Sequence, residues 1–208
     1  MPAAFPSLMF LNIRRYKNPP DYIADFFHKP RPYFSLAFIE KGVYQFREDD
    51  RSFDAMPGDI VLTPQDSRYL YRTFGEENQM ISVHFGFRRS AAPFAGRRYL
   101  VQKLADPASV AHHFPALFEA FGHEKQSLSM MAHLFSLLDG AFDGMCYESR
   151  PPMDSRLLRA VEYLDTGFRE PVTVGEPSAM CGLSESHFYN LWRTSLGMTP
   201  REYRKNPR

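Results

Sequence analysis

Four polar side chains near the C-terminus have the spacing of a reading surface. Ser186, Tyr189, Asn190 and Arg193 fall on one side of a helix drawn over these residues, while Phe188, Leu191 and Trp192 fall on the other. A helix of this kind can lie in the DNA major groove, where an asparagine pairs bidentately with adenine. Gly182 can take the positive φ that a tight interhelical turn needs, and Ser184 is a good N-cap for the helix that follows. From Arg193 onward the basic residues are Arg193, Arg201, Arg204, Lys205 and Arg208, against one acid, Glu202. Phosphate contacts supply most non-specific DNA affinity. On the residues alone two readings stand, a helix-turn-helix or a three-helix bundle with a basic tail.

Other reactive groups are sparse. Cys146 and Cys181 lie far apart without metal spacing, which suits a reducing compartment. His84 is alone on its strand and reads as structural. Adjacent His112 and His113 are expected to point in different directions on a helix. A catalytic metal needs at least three ligands, so neither metal nor cofactor is expected. The net charge of +1 neither demands nor excludes nucleic acid. No stretch reaches the roughly 20 apolar residues of a membrane span, and the N-terminus is a poor signal peptide, so the expected location is cytoplasmic.

The elements that must position these groups change character along the chain. Residues 1–32 carry Pro2, Pro6, Pro19, Pro20, Pro30 and Pro32 and read as an extended arm, not a packed element. From Tyr33 the pattern is β. "YFSLAFIEKGVYQFRED" suggests a hairpin around Glu40-Lys41-Gly42, and Pro57-Gly58-Asp59 is a turn before Ile60-Val61-Leu62. In "NQMISVHFGF", Ile81, Val83, Phe85 and Phe87 share one face while Met80, Ser82 and His84 share the other. Short strands this close together imply a barrel or sandwich.

After residue 106 the period becomes helical. Val110, Phe114, Leu117, Phe118 and Phe121 suit a helix that Pro115 breaks or delays. Leu128, Met131, Phe135, Leu138, Phe142 and Met145 form a heptad-like stripe, either a dimerisation seam or a face packed on the chain's own barrel. Pro151-Pro152 ends that helix. An amphipathic helix with Leu157, Leu158, Val161 and Leu164 on one face follows, and Thr173 with Glu176 suggests a capping box.

The pieces "PVTV", "CGLS" followed by "SHF", Trp192-Arg193 and "GMTPREYR" resemble the DNA-binding region of AraC/XylS-type transcription regulators. Upstream, "FSLAFIEKGVYQF", "PGDIVLTP" and "ISVHFGF" are similar, in that order, to the family's cupin-type sensor. The resemblance implies an α+β fold: an arm (1–32), a cupin-like effector-binding barrel (33–105), a helical dimerisation or packing segment (106–148), a linker (149–153) and one helix-turn-helix unit (154–208). It implies a small effector, often a sugar, a homodimer, DNA as partner, and RNA polymerase as partner if the protein activates. Ser186, Tyr189 and Asn190 match base-facing positions and Arg193 a phosphate contact. Arg31, Arg68, Tyr69 and His84 are the residues expected at the effector.

Three departures qualify the resemblance. The family carries two helix-turn-helix units, whereas residues from 155 hold one, which favours as the alternative a truncated or decayed regulator with weak DNA binding. Pro177 stands where the family has a buried apolar residue. Counted from Thr173 as cap, it should cost on the order of 2–4 kcal/mol unless the helix starts late. No His-x-His pair follows Gly42 and no histidine soon follows Pro57, which argues against a cupin enzyme.

Overall fold

The computed structural model describes residues 8–48, 51–87, 97–123, 128–149, 154–166, 175–196 and 199–205. The chain divides into two compact units, one of Phe10–Gly86 with Tyr99–Glu148 and one holding Ser149–Arg208 together with Met1–Met9 and Phe87–Arg98. Among the described residues the first unit holds a β-sheet with two helices, and the second holds four helices.

The sheet contains β1 (Leu8–Asn18), β2 (Ile23–Asp25), β3 (Phe34–Glu48), β4 (Arg51–Ala55), β5 (Ile60–Thr63) and β6 (Leu70–Phe87). Beyond them lie β7 (Arg97–Tyr99) and β8 (Gln102–Lys103), and β9 (Tyr147–Ser149) follows the first two helices. The main order is β1-β6-β3-β5-β8, with β2 on β6 and β4 on β3. Leu8–Asn18 is therefore a strand of the sheet, not an unpacked arm: its apolar Ile13 is buried, and the prolines that suggested an arm lie outside the strand.

The expected hairpin at Glu40-Lys41-Gly42 is also corrected. β3 runs through it as one strand, and the register against β6 shifts between Ile39 and Lys41 and again between Lys41 and Val43. Gly42 has φ +79°, and a Cβ there would collide with the Asn78 side chain and come within 2.7 Å of the Glu77 carbonyl oxygen. This is a bulge, in which glycine accepts the left-handed conformation and the strand bends without reversing. Gly42→Ala is expected to lower stability by about 1–3 kcal/mol. An unchanged urea midpoint for that variant would refute a tight bulge.

Both faces of β6 are used. Ile81, Val83 and Phe85 are buried with Phe34 and Leu36. On this side α1 (His113–His123) and α2 (Leu128–Asp143) cover the sheet through Phe38–Phe114, Phe34–Phe142 and Phe85–Phe142 ring contacts at 5.4, 6.2 and 6.3 Å. Pro115 is the third residue of α1, so the helix starts late and loses no hydrogen bond to the proline. The buried stripe of α2 is Met130, Leu134, Leu137, Leu138 and Ala141. It is rotated from the expected one, with Leu128 and Phe135 exposed and Leu138 and Met145 inside.

The helices of the second unit are α3 (Ser155–Thr166), α4 (Gly175–Met180), α5 (Glu185–Leu196) and α6 (Pro200–Lys205). Asp154 caps α3 by accepting the Arg156 amide at 3.0 Å. Pro177 is buried and is the third residue of α4, in the first turn, where its missing N–H had no intrahelical acceptor. The penalty for a lost bond therefore does not arise. The Glu176 carboxylate accepts the Tyr163 hydroxyl at 2.7 Å. Thr173 and the Leu158 side chain lie outside the described residues.

Candidate functional site

The inner face of the sheet gathers a polar and aromatic cluster. On β6 the side chains of Met80, Ser82 and His84 alternate inward, as period two requires. Ser35 on β3 lies opposite, and its hydroxyl is 2.8 Å from that of Ser82, which is in turn 2.9 Å from His84 Nε2. All three residues are buried. Tyr33 and Tyr16 flank the imidazole, with ring centroids 5.0 and 6.0 Å away. Tyr69 packs on Phe26 at 5.0 Å, and the Arg31 guanidinium sits over the other reach of that ring, 3.9 Å from its centroid.

Charge in this cluster is one-signed. Burial, then Arg31, then Arg14 push the His84 imidazole down to about 3, so it is neutral across the physiological range. Burial raises the Tyr69 phenol, partly offset by Arg31 and by the nearby Thr63 hydroxyl. That hydroxyl lies close enough to favour the phenolate, yet neither Thr63 Oγ1 nor the Tyr69 hydroxyl makes a well-formed hydrogen bond. Both hydroxyls are buried in the cluster, where each costs about 1–3 kcal/mol if left dry.

The structure therefore brings together Arg31, Tyr69 and His84, but not Arg68. Arg68 is exposed while its neighbour Tyr69 is 1% exposed, because adjacent residues of an extended chain face opposite ways. Tyr16, Tyr33, Phe26, Thr63, Ser35 and Ser82 were missed as members. Ser82 was legible as a face-mate of His84, whereas Tyr16 was hidden in a segment read as an arm. His112 and His113 do not diverge: their rings lie 4.0 Å apart, and His113 Nδ1 is 3.1 Å from His133 Nδ1. Among the described residues no group of three or more metal-capable side chains assembles.

In the second unit, α4 and α5 meet at a turn where Gly182 has φ +64°. Ser184 starts α5, its carbonyl accepting the Phe188 amide at 2.8 Å. Phe188 and Trp192 are fully buried against Leu157, Val161 and Tyr203. Ser186, Tyr189, Asn190 and Arg193 are all exposed on the opposite face of α5. α6 is held by a reciprocal cap that sequence reading missed: Thr199 Oγ1 accepts the Glu202 amide at 3.1 Å and Glu202 accepts the Thr199 amide at 2.8 Å.

The family model of the AraC-like ligand binding domain matches residues 21–138. The chain is 24% identical over 182 residues to the uncharacterised HTH-type transcriptional regulator YbfI of Bacillus subtilis (strain 168), covering 82% of this chain and 66% of that protein. It thus spans just under two thirds of that relative's length. Among solved structures, the AraC-like transcriptional activator CuxR overlays with TM-score 0.54 at 15% identity, covering 94% of this chain and 74% of CuxR. ToxT from Vibrio cholerae overlays with TM-score 0.46 at 11% identity, covering 94% and 98%. YbfI and CuxR both carry the names of transcriptional regulators. With its ligand-binding domain matched over more than half its length, the chain belongs to the AraC-like family of transcription regulators.

Proposed function

We propose that this protein is a ligand-responsive, sequence-specific DNA-binding regulator. A small effector settles on the inner face of the sheet and changes how a helix-turn-helix, α4 and α5, meets its operator. The observation that carries the DNA half is the two-sided α5, with Phe188 and Trp192 buried and Ser186, Tyr189, Asn190 and Arg193 exposed together. Asn190 reads adenine, Ser186 and Tyr189 flank it on base edges, and Arg193 holds a phosphate. A homodimer would place two such helices on paired half-sites. The family resemblance offers a sugar as effector.

Gel shifts at low and physiological salt test this reading. Asn190→Ala is expected to weaken specific binding about ten- to a hundredfold while the salt slope stays unchanged, and Arg193→Met to flatten that slope by about one. Binding that ignores sequence, or none at physiological salt, would favour the second reading, a regulator in which α4 and α5 make too few phosphate contacts to hold DNA. The placement of Pro177 in the first turn of α4 weakens that reading.

A further inference from the structure

We infer that the inner face of the sheet takes a small organic carboxylate with a flat apolar body, its carboxylate seated on Arg31. The inference rests on the effector reading above and narrows the chemistry of the guest.

Arg31 is half-buried, with its guanidinium carbon over Phe26, 3.9 Å from the ring centroid. Among the described residues the guanidinium donates no hydrogen bond, so its N–H fork can meet a planar anion. Among the described residues no carboxylate forms an ion pair with Arg31 or Arg14. No carboxylate is among the groups whose charge acts on Tyr16, Tyr69 or His84, and Arg31 acts on all three. A positive group this close to a buried cluster, with no internal counter-charge, leaves the anion to be supplied by the guest.

The rest of the cluster describes the guest's other end. Tyr33 and Tyr16 beside His84, and Phe26 beside Tyr69, offer ring faces and edges that suit a flat apolar body. The unpaired Tyr69 and Thr63 hydroxyls can each donate one hydrogen bond to an acceptor. A sugar fits less well, because its many hydroxyl donors would look for acidic acceptors and find none acting here. A phosphate also fits less well. One half-buried guanidinium, with Arg14 exposed on β1, matches a single negative charge better than a dianion with three acceptor oxygens.

Calorimetric titration of the full 208-residue chain tests the assignment with benzoate and 3-phenylpropanoate against their amides, phenyl phosphate, glucose and arabinose. At least one of the two acids is expected to bind, with its amide at least tenfold weaker. Arg31→Met is expected to weaken the acid about ten- to a hundredfold, Arg31→Lys to recover part of the loss, and Arg68→Met to change nothing. The acid–amide comparison uses the unmodified chain, so it decides even if Arg31→Met folds poorly. Amides binding as tightly as acids, tighter binding of phenyl phosphate, or binding of sugars alone would overturn the carboxylate assignment and leave the effector reading standing. Failure of every probe would remove both.

Discussion

Trp192→Ala is expected to cost the helical unit about 3–5 kcal/mol. Trp192 is fully buried, packs on Phe188 at 5.3 Å, and meets Tyr203 edge-on at 5.2 Å and 90°. It therefore links α5 to α6 as well as to α3. Small domains hold about 5–15 kcal/mol in total, so the loss takes much of what a four-helix unit has. Far-UV circular dichroism in urea should show helix lost at a markedly lower denaturant concentration, with DNA binding lost alongside it. Asn190→Ala should lose DNA binding with its helix content intact, which separates a reading residue from a supporting one. Trp192→Phe is expected to be milder, because the buried indole N–H has no acceptor and its removal recovers part of the cavity cost. A Trp192→Ala variant within about 1 kcal/mol of the parent would show that α5 does not depend on this contact.

The parts of the fold legible in the sequence were those with a local cause. Period two placed Ile81, Val83 and Phe85 on one side of β6 and Ser82 with His84 on the other, because strand geometry fixes that alternation whatever the tertiary partner. Gly182 and Ser184 marked the turn and cap before α5 for the same reason. The misreadings came from signals with two physical outcomes. A glycine with positive φ serves a tight turn or a bulge, and at Gly42 the choice was made by Asn78 and Glu77, more than 30 residues away. Prolines near the N-terminus suggested an arm, yet Leu8–Asn18 between them had a sheet edge to join. Pro177 looked costly only because the cap was counted from Thr173, whereas α4 starts at Gly175 and so places Pro177 in its first turn, where it is harmless. The phase of α2 was missed because apolar residues stand on more than one side of that helix, and only the sheet beneath it selects Met130, Leu134 and Leu137. The candidate site was half legible. Residue type pointed to Arg31, Tyr69 and His84, but their company depends on which strands neighbour each other, a long-range property.

The sheet-bearing unit is expected to lose stability in mild acid, and His84 is the main cause. Its imidazole titrates at about 3 in the folded protein, against an ordinary value near 6.5. Between those values the unfolded chain holds one proton more than the folded one, so stability rises with pH through this window. The contribution is complete above pH 6.5 and falls by up to about 1.4 kcal/mol per pH unit below it, reaching about 2–3 kcal/mol at pH 4.5. His113, also pushed down by burial and by His112 and His133, adds to the loss in the same direction. The lowered carboxyls of Asp25, Glu77 and Asp154 contribute below about pH 4, so the interval from 6.5 to 4.5 belongs to the histidines. Near-UV tyrosine dichroism can follow the sheet through a urea titration at each pH, while emission from the single tryptophan follows the helical unit. His84→Phe keeps the ring between Tyr16 and Tyr33 and should flatten the pH dependence of the sheet's unfolding midpoint. An equal slope in parent and variant would remove His84 as the cause. Arg31 is the largest charged contributor to the depression after burial. Arg31→Met should therefore shorten the acid limb, with the loss still beginning near pH 6.5 but ending at a higher pH, since a guanidinium that no longer repels the imidazolium lets His84 accept its proton more readily in the folded state.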